Sequence, residues 1–265
     1  MFKIKQIILI LTLIICFISC NQELSFKQKS INKNWFFKSL KDTSWINANV
    51  PGNIHLDLLE NGIIEDPYYR LNEHDLQWID KNDWLYKTSF SISQLEFDKK
   101  NSCLEFSGLD TYAKVYVNDS LLLISDNMFR SYIVDVKDFL KLGSNDLQIL
   151  FESPINKGIE KREKLGYYPT ISANDLSEIG KVQGNQKVSV YSRKAGYHFG
   201  WDWGPRLVTS GIWKPITYQS WNNFKINDVY IQQDLQKDNV VLNATVEIGF
   251  DKDYIGNELF IEAIV

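Results

Sequence analysis

The chain has 265 residues and a formal net charge of −4, from 29 Lys and Arg against 33 Asp and Glu. That balance lacks the dense basic face that a phosphate backbone requires, and it gives no reason to expect a nucleic-acid partner. At 44% apolar and 14% aromatic residues the chain has globular rather than disordered composition. Its eight Trp and thirteen Tyr suit β structure, and aromatic faces also stack on the C–H faces of sugar rings.

The first residues read as an address rather than as structure. Lys3 and Lys5 form a positive n-region, Ile7 to Ile18 is apolar except for Thr12, and Ser19 precedes Cys20. Twelve helical residues reach about 18 Å, short of the roughly 30 Å hydrocarbon core. The expectation is an exported bacterial lipoprotein: a signal peptide over residues 1–19, acylation of Cys20, and a membrane contact made only through that anchor in the periplasm or at the cell surface. Cys16 would leave with the signal. Cys103 then remains as a single free cysteine, unable to form an internal disulfide or a Cys-based zinc site, and reads as a small core residue.

After a linker over residues 20–34, the elements follow in order. Pro51-Gly52 opens a short helix in which Ile54 and Leu58 share a face and Gly62 ends the segment. Trp84, Tyr86, Thr88, Phe90 and Ile92 alternate with Lys87, Ser89 and Ser91, which predicts a half-buried strand. A strand opens at Cys103, and Ala113, Val115 and Val117 mark the next. Asn118-Asp119 reads as a tight turn into Leu121 to Ile124. Tyr132, Val134 and Val136 alternate, and Gly143-Ser144-Asn145 turns the chain into Leu147, Ile149 and Phe151. Short strands at this spacing predict an all-β antiparallel sandwich or jelly roll.

From Pro154 to Val190 the strand signal fades into a polar excursion with a little helix. After Trp221 the alternation restarts, which places a domain boundary near Ser220. Residues 221–265 are too few for an independent sandwich. Leu259 to Val265 reads as a strand cut through its middle, so the chain is expected to be a piece of a longer one.

No metal or cofactor is implied: His55, His74 and His198 lie far apart and no Cys-x-x-Cys or His-x-x-x-His spacing occurs. There is also no nucleophile elbow and no phosphate-cradling glycine loop. No carboxylate pair stands out as acid and nucleophile, and no catalytic residue is assigned. The densest feature is Arg193-Lys194-Ala195-Gly196-Tyr197-His198-Phe199-Gly200-Trp201-Asp202-Trp203-Gly204-Pro205, where one carboxylate sits between two tryptophans in a shaped turn. Asp202 could accept hydrogen bonds from sugar hydroxyls, or could be satisfied by backbone N–H groups in a structural aromatic corner. Buried, it would need a partner, and Arg193 and Arg206 are near in sequence.

The run Ala48-Asn49-Val50-Pro51-Gly52-Asn53-Ile54-His55-Leu56-Asp57-Leu58-Leu59, with Asp66-Pro67-Tyr68-Tyr69, Gln77-Trp78-Ile79 and Asp83-Trp84-Leu85-Tyr86, resembles the opening of β-mannosidases in glycoside hydrolase family 2. Phe199-Gly200-Trp201-Asp202-Trp203-Gly204-Pro205, followed by Ser210-Gly211-Ile212-Trp213, is similar to that group's most recognisable signature. The resemblance implies a galactose-binding-like jelly roll over residues 35–220, the start of an immunoglobulin-like sandwich over residues 221–265, and a catalytic TIM barrel that this chain lacks. It implies the non-catalytic N-terminal portion of a retaining exo-β-mannosidase, inactive alone, whose carbohydrate substrate ends in β-mannose. Asp202 and Trp201 would bind that sugar and Trp203 would support them. Another family 2 glycosidase (acting on β-galactosides, β-glucuronides or glucosaminides) and a stand-alone carbohydrate-binding module remain open at this point.

Overall fold

The structure is a computed structural model, and it describes residues 26–166, 187–201, 204–250 and 260–262. The chain divides into two compact units, one of them Gln28–Ser220 and the other containing Trp221 onward. Two sheets built from ten strands account for the first unit. The larger runs β3 (Ile46–Ala48), β2 (Trp35–Ser39), β4 (Trp84–Ile92), β9 (Gly143–Glu152), β6 (Tyr112–Val117) and β7 (Ser120–Asp126). The smaller runs β1 (Phe26–Ser30), β10 (Ile216–Trp221), β5 (Asn101–Phe106) and β8 (Tyr132–Asp135). In the larger sheet each of these neighbours pairs antiparallel, including β4 with β9 and β6 with β9, and in the smaller sheet so do β5 and β8.

Alternation decides which face each strand buries. Trp84, Tyr86, Thr88, Phe90 and Ile92 of β4 all point inward, as their period of two predicts. They join Val115 and Val117 of β6, Ile149 and Phe151 of β9, and Leu104, Phe106, Ile216 and Tyr218 of the smaller sheet in one core. Asn118 and Asp119 take positive φ (48° and 67°) between β6 and β7, the conformation that a two-residue hairpin turn needs and that Asn and Asp tolerate. Cys103 is buried on β5.

The helix expected after Pro51-Gly52 is α1 (Ile54–Glu60), with Asn53 as its cap and Ile54 and Leu58 buried. Gly62 follows at φ 67°, where a side chain would be strained. One-turn helices α2 (Asn72–Asp75) and α3 (Gln94–Phe97) come next, and α3 opens on a capping box between Ser93 and Glu96. The polar excursion begins as α4 (Pro154–Leu165), capped by Ser153 and ended at Gly166.

A buried carboxylate pins α1 to the large sheet. Asp57 accepts a hydrogen bond from the Tyr86 hydroxyl at 2.8 Å and another from the Asn49 N–H at 2.8 Å. Burial pushes Asp57 up to about 6, and these two donors pull against that rise. The Tyr86 ring itself is held by Phe37 and Phe151.

In the second unit β11 (Phe224–Leu235) pairs with β12 (Val240–Phe250) as an antiparallel hairpin, with a bulge between Ile226 and Asp228. Residues 260–262 are not in a strand, contrary to the strand expected over 259–265, and the other residues of that stretch lie outside the described set.

Tyr86→Phe should keep the core ring and remove one donor from a buried carboxylate. A loss of roughly 1–3 kcal/mol is expected, read as a fall of several degrees in Tm. An unchanged Tm would show that the Tyr86–Asp57 bond contributes nothing.

Candidate ligand-binding site

Three stretches far apart in sequence meet beside the sandwich: α1, the segment carrying Pro67 and Tyr68, and the loop from Ala195 to Thr209. Between them lies a cavity of about 600 Å³, within the ~300–1,000 Å³ range of small-molecule sites. Its aromatic lining is Tyr68, Tyr197 and Trp201, and its polar lining is Asn53, His55, His198 and Thr209. Leu56, Leu59 and Leu207 add aliphatic surface. Among the described lining residues none is Asp, Glu, Lys or Arg, which suits an uncharged ligand.

The loop is anchored by a buried ion pair. Lys194 Nζ lies 2.5 Å from Asp110 Oδ2, with side-chain exposures of 0% and 2%. The ammonium also donates to the Thr209 carbonyl at 2.8 Å and to Thr209 Oγ1 at 3.1 Å. Asp110 takes further hydrogen bonds from Thr209 Oγ1 at 2.6 Å and from the Thr111 hydroxyl at 2.5 Å. The backbones of Asp110 and Gly211 exchange N–H···O bonds at 2.9 Å each way. Gly211 sits at φ 150°, and a Cβ there would lie 2.8 Å from Asn53 Cα, so the Ser-Gly-Ile-Trp element needs its glycine to let α1 approach.

A second buried pair stands nearby in sequence. Arg206 Nη1 lies 2.6 Å from Asp80 Oδ2 and also bonds Gln77 Oε1, while Gln77 Nε2 donates to the Arg206 carbonyl at 2.8 Å. Arg193 is 3.0 Å from Asp126 on the surface. Arg206 and Arg193 thus bond Asp80 and Asp126, which the chain brings from more than sixty residues away, while Asp202 lies outside the described residues.

Both site histidines are neutral at pH 7. Burial, reinforced by the Lys194 charge, lowers His55 to about 3 and His198 to about 4. Groups depressed in the folded state contribute stability that is full above their unfolded value near 6.5 and is lost as pH falls toward 4. His55 Nδ1 is buried without a hydrogen-bond partner, whereas His198 Nδ1 lies 3.2 Å from Thr209 Oγ1. Sequence spacing offered no reason to single out either ring. Of the residues it did single out, Trp201 lines the cavity, while Cys20, Asp202 and Trp203 lie outside the described residues.

A two-sheet antiparallel sandwich with an aromatic-walled cavity, whose described lining carries no charged side chain, is the class of protein that this fold and site define. The family model described as "Glycosyl hydrolase 2 galactose-binding domain-like" matches residues 35–214, and the chain belongs to that family. The "Beta-mannosidase B" of Emericella nidulans is 33% identical over 238 residues, covering 88% of this chain and 27% of the relative. A "Probable beta-mannosidase" of Caenorhabditis elegans is 37% identical over 188 residues, covering 69% of this chain and 20% of the relative. Among solved structures, a β-D-mannosidase from Dictyoglomus thermophilum matches at 38% identity and TM-score 0.73, over 84% of this chain and 26% of that one. An exo-chitosanase from Amycolatopsis orientalis, at 17% identity and TM-score 0.62 over 85% of this chain and 24% of that one, shares the fold. The chain spans about a quarter of the length of the first of these relatives.

Lys194→Met should leave the Asp110 carboxylate buried without its counter-ion. A loss of 3–5 kcal/mol is expected, seen in urea unfolding as a lower midpoint at unchanged slope. A loss under about 1 kcal/mol would mean that the two threonine hydroxyls alone satisfy Asp110.

Proposed function

We propose that this chain is the N-terminal, non-catalytic portion of a retaining exo-β-mannosidase that removes terminal β-D-mannose from oligosaccharides or glycoproteins. The observation that carries the reading is the gap in identity between neighbours of one fold: 38% to a β-mannosidase against 17% to an exo-chitosanase and 16% to a β-glucuronidase. On this reading the groups that cleave the glycosidic bond belong to the part of the relatives that this chain does not span. The loop of Trp201, Asp202 and Trp203 contributes to holding the terminal sugar. Support for that role comes from Trp201, which lines an aromatic cavity whose described walls carry no charge. The Asp202 carboxylate would then grip hydroxyls by charge-assisted bonds that strengthen as the transition state forms.

Two preparations test this. Residues 21–265 alone should release no nitrophenol from p-nitrophenyl β-mannoside, whereas the product of the uninterrupted coding frame should release it. In that longer product Asp202→Asn should keep its Tm and lose kcat/KM by roughly 10- to 150-fold, the worth of about 1.5–3 kcal/mol of charged hydrogen bonding. Turnover by residues 21–265, or kinetics within about twofold for Asp202→Asn, would remove the assignment.

The same reading extends to placement. The positive n-region, the short apolar run and Ser19-Cys20 support a bacterial lipoprotein acylated at Cys20. A labelled fatty acid supplied to a bacterial host should mark the wild-type precursor and spare Cys20→Ala; equal label in both would rule it out.

A further inference from the structure

The hydrogens around Thr209 can be assigned one at a time. Lys194 Nζ is an ammonium in an ion pair and can only donate; its three hydrogens face four acceptors, of which Thr209 Oγ1, at 3.1 Å, is the farthest. Asp110 Oδ2 is the carboxylate of that pair and can only accept. The 2.6 Å contact between Thr209 Oγ1 and Asp110 Oδ2 therefore carries the threonine's single hydrogen. With its hydrogen so used, Oγ1 can offer His198 Nδ1, 3.2 Å away, only lone-pair density. A bare Nδ1 would set lone pair against lone pair, so Nδ1 carries the ring hydrogen and donates. Burial and the Lys194 charge hold the ring neutral, and a neutral imidazole has one N–H only. Nε2 is then the lone-pair nitrogen.

His198 lines the cavity together with Tyr68, Tyr197 and Trp201. The ring is half-buried, with its Nδ1 side fixed by Thr209. The Lys194–Asp110–Thr209 chain thus acts at a distance: it sets the tautomer of a ring that faces the ligand space. A neutral acceptor among aromatic walls selects an uncharged hydrogen-bond donor, and a sugar presents that as a hydroxyl.

We propose that His198 Nε2 is the hydroxyl acceptor of this cavity, taking a hydrogen bond from one hydroxyl of a pyranoside seated against Tyr68, Tyr197 and Trp201. The choice of a sugar rests on the function proposed above; the tautomer rests on the contacts of Thr209 and on the ring being neutral. His198 is in this sense a binding residue, and Lys194, Asp110 and Thr209 are positioning residues that act through it.

The test uses the whole 265-residue chain. Long-range ¹H–¹⁵N NMR of the histidine rings should show His198 as the Nδ1–H tautomer. Methyl β-D-mannoside, methyl β-D-glucoside and methyl β-D-galactoside are then titrated while the Nε2 resonance is followed, and at least one should move it. His198→Asn keeps an N–H where Nδ1 stood and deletes Nε2, so Tm should hold while affinity drops at least tenfold. His198→Gln places an amide oxygen near the Nε2 position and should recover most of the binding. A merely structural histidine predicts the reverse for His198→Asn, a lower Tm with affinity unchanged. An Nε2–H tautomer, no response of Nε2 to any of the three glycosides, or wild-type affinity in His198→Asn overturns the proposal. A response to the glucoside or galactoside with none to the mannoside upholds the acceptor and sinks the mannoside reading instead. The tautomer and titration measurements need no variant, so a misfolded His198→Asn would not shield the proposal.

Discussion

The buried pair of Lys194 and Asp110 is the interaction on which the ligand cavity depends. Two opposite charges with almost no solvent contact, 84 residues apart in sequence, join the segment between β5 and β6 to the start of the aromatic loop. Such a pair is a poor source of net stability, because desolvating both charges offsets most of their attraction. Its value lies in direction. The three ammonium hydrogens are surrounded by four acceptors, the two oxygens of Asp110 and the carbonyl and hydroxyl of Thr209, and the Thr209 hydroxyl in turn donates to Asp110. The loop from Ala195 to Thr209 is thereby held at both ends by the same charge cluster, and the cavity lies along it.

A similar logic recurs at Asp80 and Arg206, and at Asp57 and Tyr86. In each case a buried carboxylate ties an irregular or helical segment, which the strand ladders do not reach, to its neighbour. The sandwich core is apolar and periodic, as sheet packing requires. The polar anchors sit where the periodicity ends, at α1, at the turn before β4 and in the loop before β10. Removing a member of such an anchor leaves an unpaired buried group, so these positions should be more sensitive to substitution than their exposed neighbours. Gly211 works with them by letting the backbone of Asn53 come close, and with it the segment that opens into α1.

The cavity joins two kinds of surface with different origins. Tyr68, Tyr197 and Trp201 supply flat apolar walls and could be replaced by other aromatic rings without changing the electrostatics. His55, His198 and Thr209 are polar groups whose states are set by burial and by the Lys194 charge behind them. An environment that keeps both rings neutral across the physiological range makes the cavity's hydrogen-bonding pattern independent of pH there. That pattern suits neutral, hydroxylated ligands better than charged ones.

Much of the fold was legible in the residues themselves. The period-two run from Trp84 to Ile92, the Asn118-Asp119 turn and the capped helix after Pro51-Gly52 are local signals, and local sterics and side-chain alternation enforce them wherever the chain goes. Gly143-Ser144-Asn145, expected as a turn, instead opens β9 and pairs with Ile92, Ser91 and Phe90, because the neighbouring strand extends the ladder past the local turn signal. The aromatic loop around Trp201 also announced itself, because Gly, Pro and five aromatic or His rings in nine residues fit neither helix nor central strand. What no local signal could carry was partnership. Nothing local in the sequence pointed to Asp80 as a partner of Arg206 or to Asp126 as a partner of Arg193, which tertiary packing supplies. His55 and His198 were unremarkable as isolated histidines, and only the fold sets both beside Lys194 and along one cavity. The reason is physical: a strand's face follows from its neighbours two residues away, whereas the partner of a buried charge is decided by which distant segments the hydrophobic core happens to bring within hydrogen-bond reach.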